Sequence, residues 1–520
     1  MAWECRMDLQ DRHSSLLQGL SGLGAREATA QIRNGELSAE VYASALLRHH
    51  DAWRDLNTLI TVDETRVLEE ARALDVARAN GKKLGPAAGL PFVVKDQMEI
   101  AGYPTTAGNI HLKSYVAPRN AAIATALRGA GAVMFGKANC GDMLGGAPIL
   151  THGTTSNPFF GVCRNPYNLA HVPGGSSGGV AAAISAGIAP AGIGEDTGGS
   201  VRLPAACTGI AGLRPSTFSL RNLLDGAGRK RYSDDGMVPP PALLDTWGPM
   251  ARTVADLALL DHVITGSQAT PASLDNMRIG VPRPDYWETD VIDPGVARLL
   301  LSTFDRMRGA GAVLVEYDLL ALMRRMTGPR DRVGCAVRRP NPQSLGAWLA
   351  ANFPAVTLGD IQSYLPALQL TDTDRDALYT GETFAAGERE RLVAELESAH
   401  ADFFRDHGFT AFALPTLRMT APLINPNGDT PGQHIQVNGT SMNEIMAFVS
   451  HTRLAARLGA PALNIPIGLS DGLPVGMELQ GAPGRDVELL GLGMAIEAIL
   501  DRFPPPSMRF NGANGARGKS

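Results

Sequence analysis

Short apolar runs that alternate with longer amphipathic segments constrain the fold of this 520-residue chain more than any other feature. Each run lies between glycine, proline or charged residues and is typical of a buried β-strand. Runs of this kind cover residues 90–94, 132–135, 278–281, 312–316, 410–414, 462–465 and 475–479. Apolar residues at helical spacing cover residues 37–56, 63–79, 254–263, 294–308 and 387–404. The alternation predicts an α/β fold in which helices flank a mixed β-sheet.

Composition and charge narrow the class of protein. A hydrophobic content of 44% and a charged content of 19% are ordinary for a globular enzyme with a large core. The net charge of -5 gives no support to nucleic-acid binding, and we expect the basic triplet at residues 229–231 to be a solvated loop. The longest apolar run, residues 180–194, is too short to span a bilayer and contains Pro190, so we expect no membrane partner.

The N-terminal residues and the cysteines indicate a cytoplasmic protein. Residues 1–15 carry both charges and no apolar core, so they do not resemble a signal peptide. The five cysteines are odd in number and form no CxxC pair, which predicts reduced thiols. These cysteines are Cys5, Cys140, Cys163, Cys207 and Cys335.

Two glycine-framed serines concentrate the chemistry of the chain. Residues 173–179 read Pro-Gly-Gly-Ser-Ser-Gly-Gly and residues 196–200 read Asp-Thr-Gly-Gly-Ser. Ser176 and Ser200 therefore bracket an apolar segment that we expect to be one helix of roughly 14 residues. Glycines let backbone N–H groups converge on an oxyanion beside the Ser200 hydroxyl. The donors that we assign to this oxyanion hole belong to Thr197, Gly198, Gly199 and Ser200.

Two other interpretations of the first glycine-serine motif have to be weighed. A flexible linker explains residues 173–179 alone, but it does not explain a second Gly-Gly-Ser beyond an apolar segment. Residues 174–178 also satisfy the G-x-S-x-G nucleophile elbow, which requires an apolar strand immediately before it. Pro173 in the preceding segment argues against such a strand.

A nucleophilic serine needs a base. His152 and His171, the histidines near the motifs, lie in polar segments without a clear acidic orienter. A lysine can serve where burial lowers its pKa towards neutrality. Lys95 ends an apolar run and fits this setting, but for an arbitrary lysine a simple pair with Asp96 at a strand end is the more common role, because lysines are mostly exposed. Position alone does not decide between these roles.

Several long motifs, in order along the chain, resemble the amidase signature family. They are residues 89–96, 105–108, 173–179, 196–202, 204–215, 246–256 and 472–477. The resemblance runs from about residue 30 to 500 and is weakest between 270 and 400. It implies one large α/β domain over residues 1–505, with a core motif region at 89–256 and a variable helical region at about 270–400. We expect residues 506–520 to be a disordered tail.

The resemblance also implies a Ser–cisSer–Lys triad that hydrolyses carboxamide C–N bonds without a metal or another cofactor. Ser200 matches the nucleophile, Ser176 the serine that follows a cis peptide bond and Lys95 the base. Ser177 matches a supporting serine. Asp196 and Arg202, which flank the nucleophile, are interpreted as a structural ion pair.

One residue departs from the family pattern. Glu195 stands where the family usually has threonine or serine. We expect its side chain to face solvent, because glutamate is rarely buried. If it faced Lys95 instead, it would favour the charged lysine and shift optimal activity to alkaline pH.

The resemblance specifies the substrate only coarsely. Met143, Leu144, Gly145 and Gly146 correspond to a segment that lines the acyl pocket in relatives, and their character suits an aryl or alkyl acyl group. Residues 472–479 are similar to those of bacterial aryl-acetamide amidases such as indoleacetamide or mandelamide hydrolase. We therefore expect a small amide as substrate. Hydrolysis of carbamates, anilides or esters, a glutaminase-type component of a tRNA-dependent amidotransferase, and a non-catalytic binding protein stay open, as does a homodimer.

Overall fold

The computed structural model describes residues 19–144, 156–157, 159–217, 230–241, 244–326, 342–363, 387–425 and 434–507. The strands in these ranges are β1 (Leu59–Thr61), β2 (Pro91–Lys95), β3 (Val133–Ala138), β4 (Ser156–Asn157), β5 (Gly161–Val162), β6 (Ala191–Asp196), β7 (Ala211–Arg214), β8 (Thr246–Ala251), β9 (Arg278–Pro282), β10 (Val313–Tyr317), β11 (Ala411–Pro415), β12 (His434–Val437), β13 (Thr440–Asn443), β14 (Ala462–Ser470) and β15 (Leu473–Gly481).

The α-helices of the same ranges are α1 (Ala25–Asn34), α2 (Ala39–Ala52), α3 (Glu64–Ala79), α4 (Ala122–Gly129), α5 (Gly178–Ser185), α6 (Arg202–Thr208), α7 (Val254–Thr265), α8 (Pro284–Trp287), α9 (Pro294–Gly309), α10 (Leu319–Met326), α11 (Pro342–Asn352), α12 (Leu358–Ser363), α13 (Glu388–His407), α14 (Glu444–Val449), α15 (Arg453–Leu458) and α16 (Asp486–Ala498).

Eleven strands form one mixed sheet in the order β1-β3-β2-β6-β8-β7-β14-β15-β11-β9-β10. β2 pairs in parallel with β3 on one side and with β6 on the other. The middle of the sheet, from β6 to β11, pairs antiparallel throughout. Because β2 and β6 are parallel neighbours, their carboxyl ends meet at the same edge of the sheet.

The buried character of β2 follows from helices on both faces of the sheet. Phe92 and Val94 pack in one apolar cluster together with residues of α7 and α16. Val93 points the other way, into a cluster with residues of α2 and α5. Side chains of a strand alternate between faces, so a strand covered on both faces is apolar along its length. The chain thus forms a single large α/β domain with a mixed sheet flanked by helices, as the sequence predicted.

The elements predicted from the sequence are present within a few residues of their expected bounds. Helix α2, for example, begins after Ser38, whose hydroxyl accepts a hydrogen bond from the Val41 N–H as an N-cap does. The predicted tail is not described beyond residue 507. Among the helices of the described ranges, none has the length and apolar character that a membrane span requires.

Two expectations about local structure were wrong. The segment between the serine motifs is not one long helix: α5 has eight residues, and the chain then enters strand β6. Gly187, in the left-handed region at φ 77°, makes the turn between them. The basic triplet is also not a solvated loop where it is described, because Lys230 pairs with Asp234 and Arg231 with Asp261. The side chains of Lys230 and Arg231 are only 8% and 11% exposed.

Candidate active site

Four chain segments converge at the carboxyl ends of the two parallel strands. Lys95 is the last residue of β2, and β6 ends at Asp196. Ser176 and Ser177 immediately precede α5, and Ser200 lies just before α6. The glycine-rich motifs therefore form the turns that enter two short buried helices. The peptide bond between Gly175 and Ser176 is cis.

The structure brings Lys95, Ser176 and the Ser200 segment together. Lys95 Nζ lies 2.7 Å from Ser176 Oγ, and both side chains are buried. The Ser177 N–H donates to the Ser200 carbonyl oxygen at 3.2 Å, so the two serine turns are in direct contact. The Ser177 hydroxyl donates to the Glu195 carbonyl oxygen and accepts from the Glu195 N–H, which ties the first turn to β6.

Glu195 faces Lys95, and the expectation that it would face solvent was wrong. Its Oε2 lies 2.8 Å from Lys95 Nζ, and the two side chains are 1% and 0% exposed. Burial of a carboxylate is tolerated here because a cation of the neighbouring strand compensates it. Its other oxygen, Oε1, accepts a hydrogen bond from the Thr197 hydroxyl at 2.7 Å.

A buried ion cluster lies behind the second serine turn. Asp196 pairs with Arg202 and with Arg214, each at 3.0 Å, and Arg202 also pairs with Glu478 of β15 at 2.7 Å. Burial opposes ionisation of Asp196, but the two guanidinium groups overcome it and hold the pKa of this carboxyl well below its usual range. The carboxylate is therefore ionised and also accepts from the Gly199 and Val201 N–H groups. The cluster fixes the turn that carries Ser200.

One of the four expected oxyanion donors is already engaged. The Gly199 N–H donates to Asp196 at 2.9 Å, so this group holds the turn together. The N–H groups of Thr197, Gly198 and Ser200 stay as the predicted donors. Gly199 adopts φ 134°, and a Cβ at this position would lie 2.3 Å from Thr452 Oγ1. Thr452 in turn donates its hydroxyl to the Gly198 carbonyl oxygen at 2.7 Å.

The expected acyl-pocket segment is described only in its first half. Gly145 and Gly146 lie outside the described residues. Leu144 is buried, and Met143 packs against the same apolar cluster, where its N–H donates to the Ala107 carbonyl oxygen. The cluster contains the buried residues Ala107, Leu112, Tyr115, Leu144, Val238, Leu345, Leu349 and Ile361. Trp348 meets Tyr115 edge to face, with ring centroids 5.1 Å apart, and adds a second aromatic ring.

Thr452 and Asp245 were missed by the sequence analysis. Asp245 Oδ1 lies 2.7 Å from the Thr197 hydroxyl, and Thr452 is fully buried beside the turn that carries Ser200. Both residues reach the site from distant parts of the chain, and no local pattern marks them. Within the described ranges, no group of three or more His, Cys, Asp or Glu side chains is arranged to hold a metal ion.

Comparison with known proteins places this chain in a family. The profile of the family described as Amidase matches residues 40–490. Mandelamide hydrolase of Pseudomonas putida is 30% identical over 505 residues, which cover 92% of this chain and 92% of that protein. The A component of the glutamyl-tRNA(Gln) amidotransferase of Chloroflexus aurantiacus is 31% identical over 511 residues, which cover 93% of this chain and 97% of that protein.

The same family emerges from solved structures. A crystal structure described as that of an amidase superposes with a TM-score of 0.74 at 27% identity and covers 92% of this chain and 100% of that chain. Its fold agrees with the mixed sheet and flanking helices described above. The chain therefore belongs to the amidase family and is an enzyme that hydrolyses amide C–N bonds.

Proposed function

We propose that the protein hydrolyses a small aryl or alkyl carboxamide through an acyl-enzyme on Ser200. The observation that carries the proposal is the 2.7 Å contact between Lys95 Nζ and Ser176 Oγ at a buried site next to the Ser200 turn. A lysine in hydrogen-bond contact with a serine can remove the hydroxyl proton when its amine is uncharged. Ser176 then connects this base to the nucleophile.

The proposed reaction moves one proton along the triad in each direction. Ser200 Oγ attacks the carbonyl carbon, its proton passes to Ser176, and the Ser176 proton passes to Lys95. The carbonyl π electrons become the oxyanion. The proton then returns to the leaving nitrogen as the C–N bond breaks, and water hydrolyses the acyl-enzyme by the same steps.

The N–H groups of Thr197, Gly198 and Ser200 would hold the oxyanion. Each donor of this kind is commonly worth about 3–4 kcal/mol in the transition state. The buried Asp196–Arg202 pair supports the proposal because it fixes these groups before substrate arrives. A turn that is already organised loses little free energy to rearrangement during the reaction.

The apolar cluster around Leu144 supports an apolar acyl group. Its described members near Met143 include the Tyr115 and Trp348 rings, and none of its buried members carries a charge. A free carboxylate in such surroundings would lose hydration without gaining a partner. An arylacetamide or a medium-length alkyl amide would bury its acyl carbon atoms there instead.

A hydrolysis screen tests the proposal. Primary arylacetamides, alkyl amides, anilides, carbamates and esters are compared by kcat/KM, which ranks transition-state stabilisation directly. We expect primary aryl or alkyl amides to rank first and Ser200→Ala to abolish turnover while the circular dichroism spectrum stays unchanged. Ser185→Ala is the matched control, because Ser185 is a buried serine at the far end of α5 that bonds the Thr208 carbonyl oxygen. Turnover retained by Ser200→Ala would disprove the assignment, and a higher ranking of carbamates, anilides or esters would move it to that class.

A second candidate function is the glutaminase step of a tRNA-dependent amidotransferase. It is favoured by the 31% identity to the Chloroflexus aurantiacus protein over nearly the full length of both chains. Glutamine as substrate would need polar partners for its α-ammonium and α-carboxylate groups, whereas the described members of this cluster are hydrophobic. We therefore expect the isolated chain to hydrolyse arylacetamides faster than glutamine. The reverse order would favour the amidotransferase role.

Reactivity of the nucleophile can be measured without a known substrate. We expect a fluorophosphonate probe to label the wild-type chain and Ser185→Ala, but not Ser200→Ala. Absence of labelling in the wild type would favour a protein that binds small molecules without catalysis.

A further inference from the structure

The Lys95–Glu195 ion pair is the part of the site that the triad mechanism does not use. Lys95 Nζ contacts Ser176 Oγ at 2.7 Å and Glu195 Oε2 at 2.8 Å. A carboxylate this close to a buried amine favours the ammonium form, whereas a base must be uncharged. A base that is held partly in its charged form loses activity near neutral pH, so the arrangement needs a physical reason.

The second oxygen of Glu195 takes part in a short hydrogen-bond chain. Thr197 Oγ1 lies 2.7 Å from Glu195 Oε1 and 2.7 Å from Asp245 Oδ1. A hydroxyl has one hydrogen, so it donates to one carboxyl oxygen only. Thr197 therefore links Glu195 to Asp245, which lies immediately before β8.

Both oxygens of Glu195 have a neighbouring donor: Oε2 lies 2.8 Å from Lys95 Nζ, and Oε1 lies 2.7 Å from the Thr197 hydroxyl. These contacts hold the carboxyl group in one orientation, facing Lys95.

We propose that Glu195 is a positioning residue for Lys95 and the fourth member of a Ser200–Ser176–Lys95–Glu195 chain. It holds one N–H of the neutral amine, so that the amine lone pair faces the Ser176 hydroxyl. When the Ser176 proton arrives, Lys95 becomes an ammonium ion, and the Glu195 carboxylate stabilises the charge that has formed. Glu195 itself takes up no proton. This relation to the base is the one that the aspartate of a Ser-His-Asp triad has to its histidine. The inference rests on the proposed function.

The other charged groups around Lys95 are balanced by their own partners. Lys137 of β3 pairs with Asp96 at 3.0 Å, and Asp196 pairs with Arg202 and Arg214. Burial raises the pKa of the Cys140 thiol to about 12, so this group is neutral at ordinary pH. Glu195 is thus the charged group in direct contact with Lys95 within the described part of the chain.

The experiment compares pH profiles of kcat/KM for the wild type and Glu195→Gln. Glutamine keeps the shape and can still accept an N–H from Lys95, but it has no charge. We expect an acid limb in the wild-type profile, because a charged amine cannot act as the base. In Glu195→Gln the limb should move down by about one pH unit or more, while the plateau falls at least about tenfold because the ammonium ion is no longer stabilised.

Two further variants separate this role from a structural one. Glu195→Asp keeps the charge and should keep the acid limb near its wild-type position. Asp245→Asn removes the carboxyl charge on the far side of Thr197, and its limb should also stay near the wild-type position. A limb that moves in Asp245→Asn as far as in Glu195→Gln would overturn the assignment of this role to Glu195.

A matched control is Asp261→Asn, which removes a buried carboxylate that pairs with Arg231 outside the site. The acid limb of the pH profile of Asp261→Asn should stay at its wild-type position. Superimposable pH profiles of the wild type and Glu195→Gln would overturn the inference, even if Glu195→Gln is less stable than the wild type. If Glu195→Gln fails to fold, the wild type still decides, because a flat profile of fluorophosphonate labelling from pH 6 to 9 excludes a lysine held in its charged form. Loss of Ser200-dependent labelling would instead remove the proposed function, so the two failures are distinguishable.

Discussion

The pair formed by Lys95 and Glu195 has a consequence for stability that is separate from catalysis. Both side chains are at most 1% exposed, and each compensates the charge of the other. Removal of one member of a buried pair leaves an uncompensated charge, which commonly costs about 3–5 kcal/mol. We therefore expect Lys95→Met to abolish turnover and to lower the free energy of unfolding by about this amount. Urea denaturation at pH 7 measures the loss.

A double variant tests the cause of that loss. Lys95→Met combined with Glu195→Gln leaves no charge at the site, so it should recover most of the stability and none of the activity. Lys82→Met, which replaces an exposed lysine, should change the free energy of unfolding by less than about 0.5 kcal/mol. Equal stability of Lys95→Met and the wild type would mean that Glu195 is not held as an anion.

The resemblance to the amidase signature family predicted the two serines and the lysine of the triad, but not the environment of Glu195. A glutamate is exposed in most proteins, and only a cation in contact changes that expectation. The cation here comes from a strand 100 positions earlier in the chain. The departure from the family pattern at this position was visible in the sequence, whereas the direction of the side chain depends on how β2 and β6 pair.

At the scale of elements, the turn before α6 is held by tight backbone packing. Gly199 has φ 134°, and a Cβ there would lie 2.3 Å from Thr452 Oγ1. Because Thr452 is fully buried, the turn would have to shift, and the proposed oxyanion donors would shift with it. We expect Gly199→Ala to lower kcat/KM at least about 100-fold, the loss typical of a misplaced oxyanion donor.

The double variant Gly199→Ala/Thr452→Ala should recover part of this activity, because it removes the closest contact but not the backbone strain. Gly129→Ala is the control: an added Cβ meets nothing within 4 Å at that helix position, and activity should not change. Steady-state kinetics on the best amide of the screen compare the variants. Wild-type activity of Gly199→Ala would show that this turn tolerates a shift.

The central strands β6, β7 and β8 were not predicted from the sequence. β6 reads Ala-Gly-Ile-Gly-Glu-Asp and β8 reads Thr-Trp-Gly-Pro-Met-Ala, and glycine, proline and acidic residues are depleted in strands. They form strands because tertiary packing outweighs the weak local preference. Gly194 lies opposite Gly248 between the two strands, and a Cβ on Gly194 would lie 2.8 Å from Ser177 Oγ. Small residues are needed here because the first serine turn packs directly on the strand.

At the scale of the whole molecule, the alternation of apolar runs and amphipathic segments was sufficient to predict the fold class. The order of the strands in the sheet could not be predicted from the sequence. The parallel pairing of β2 and β6 joins strands about 100 residues apart, and β8 lies between β6 and β7 although it follows both in sequence. Pairings of this kind depend on contacts that no local pattern encodes. The family motifs predicted the triad residues without this information, but Thr452 and Asp245 become visible only when the chain is folded.

Global stability should depend on pH through a carboxyl group that links helices α7 and α16. Glu497 of α16 accepts the Val254 N–H at the start of α7, with its two oxygens at 2.9 and 3.1 Å. Burial raises the pKa of Glu497 to about 7, and the hydrogen bond from Val254 only partly opposes this effect. The nearby charge of Asp256 acts in the same direction as burial. The folded state therefore binds a proton at Glu497 more tightly than the unfolded chain does.

The sign of the dependence follows from that difference. Since the folded pKa of about 7 exceeds the ordinary value of 4.5, the contribution of Glu497 is complete below about pH 4.5 and is lost as the pH rises through about 7. The difference corresponds to as much as about 3 kcal/mol. Glutamine resembles the protonated acid at all pH values, so Glu497→Gln should match the wild type at pH 5 and exceed it in stability at pH 8. Urea denaturation at both pH values measures the gap, and Glu64→Gln, at an exposed first-turn position of α3, should show no such change. A difference in stability between Glu497→Gln and the wild type that is the same at pH 5 and pH 8 would mean that Glu497 is ionised in the folded protein at both pH values. Stability depends on pH only where the folded and unfolded states bind different numbers of protons.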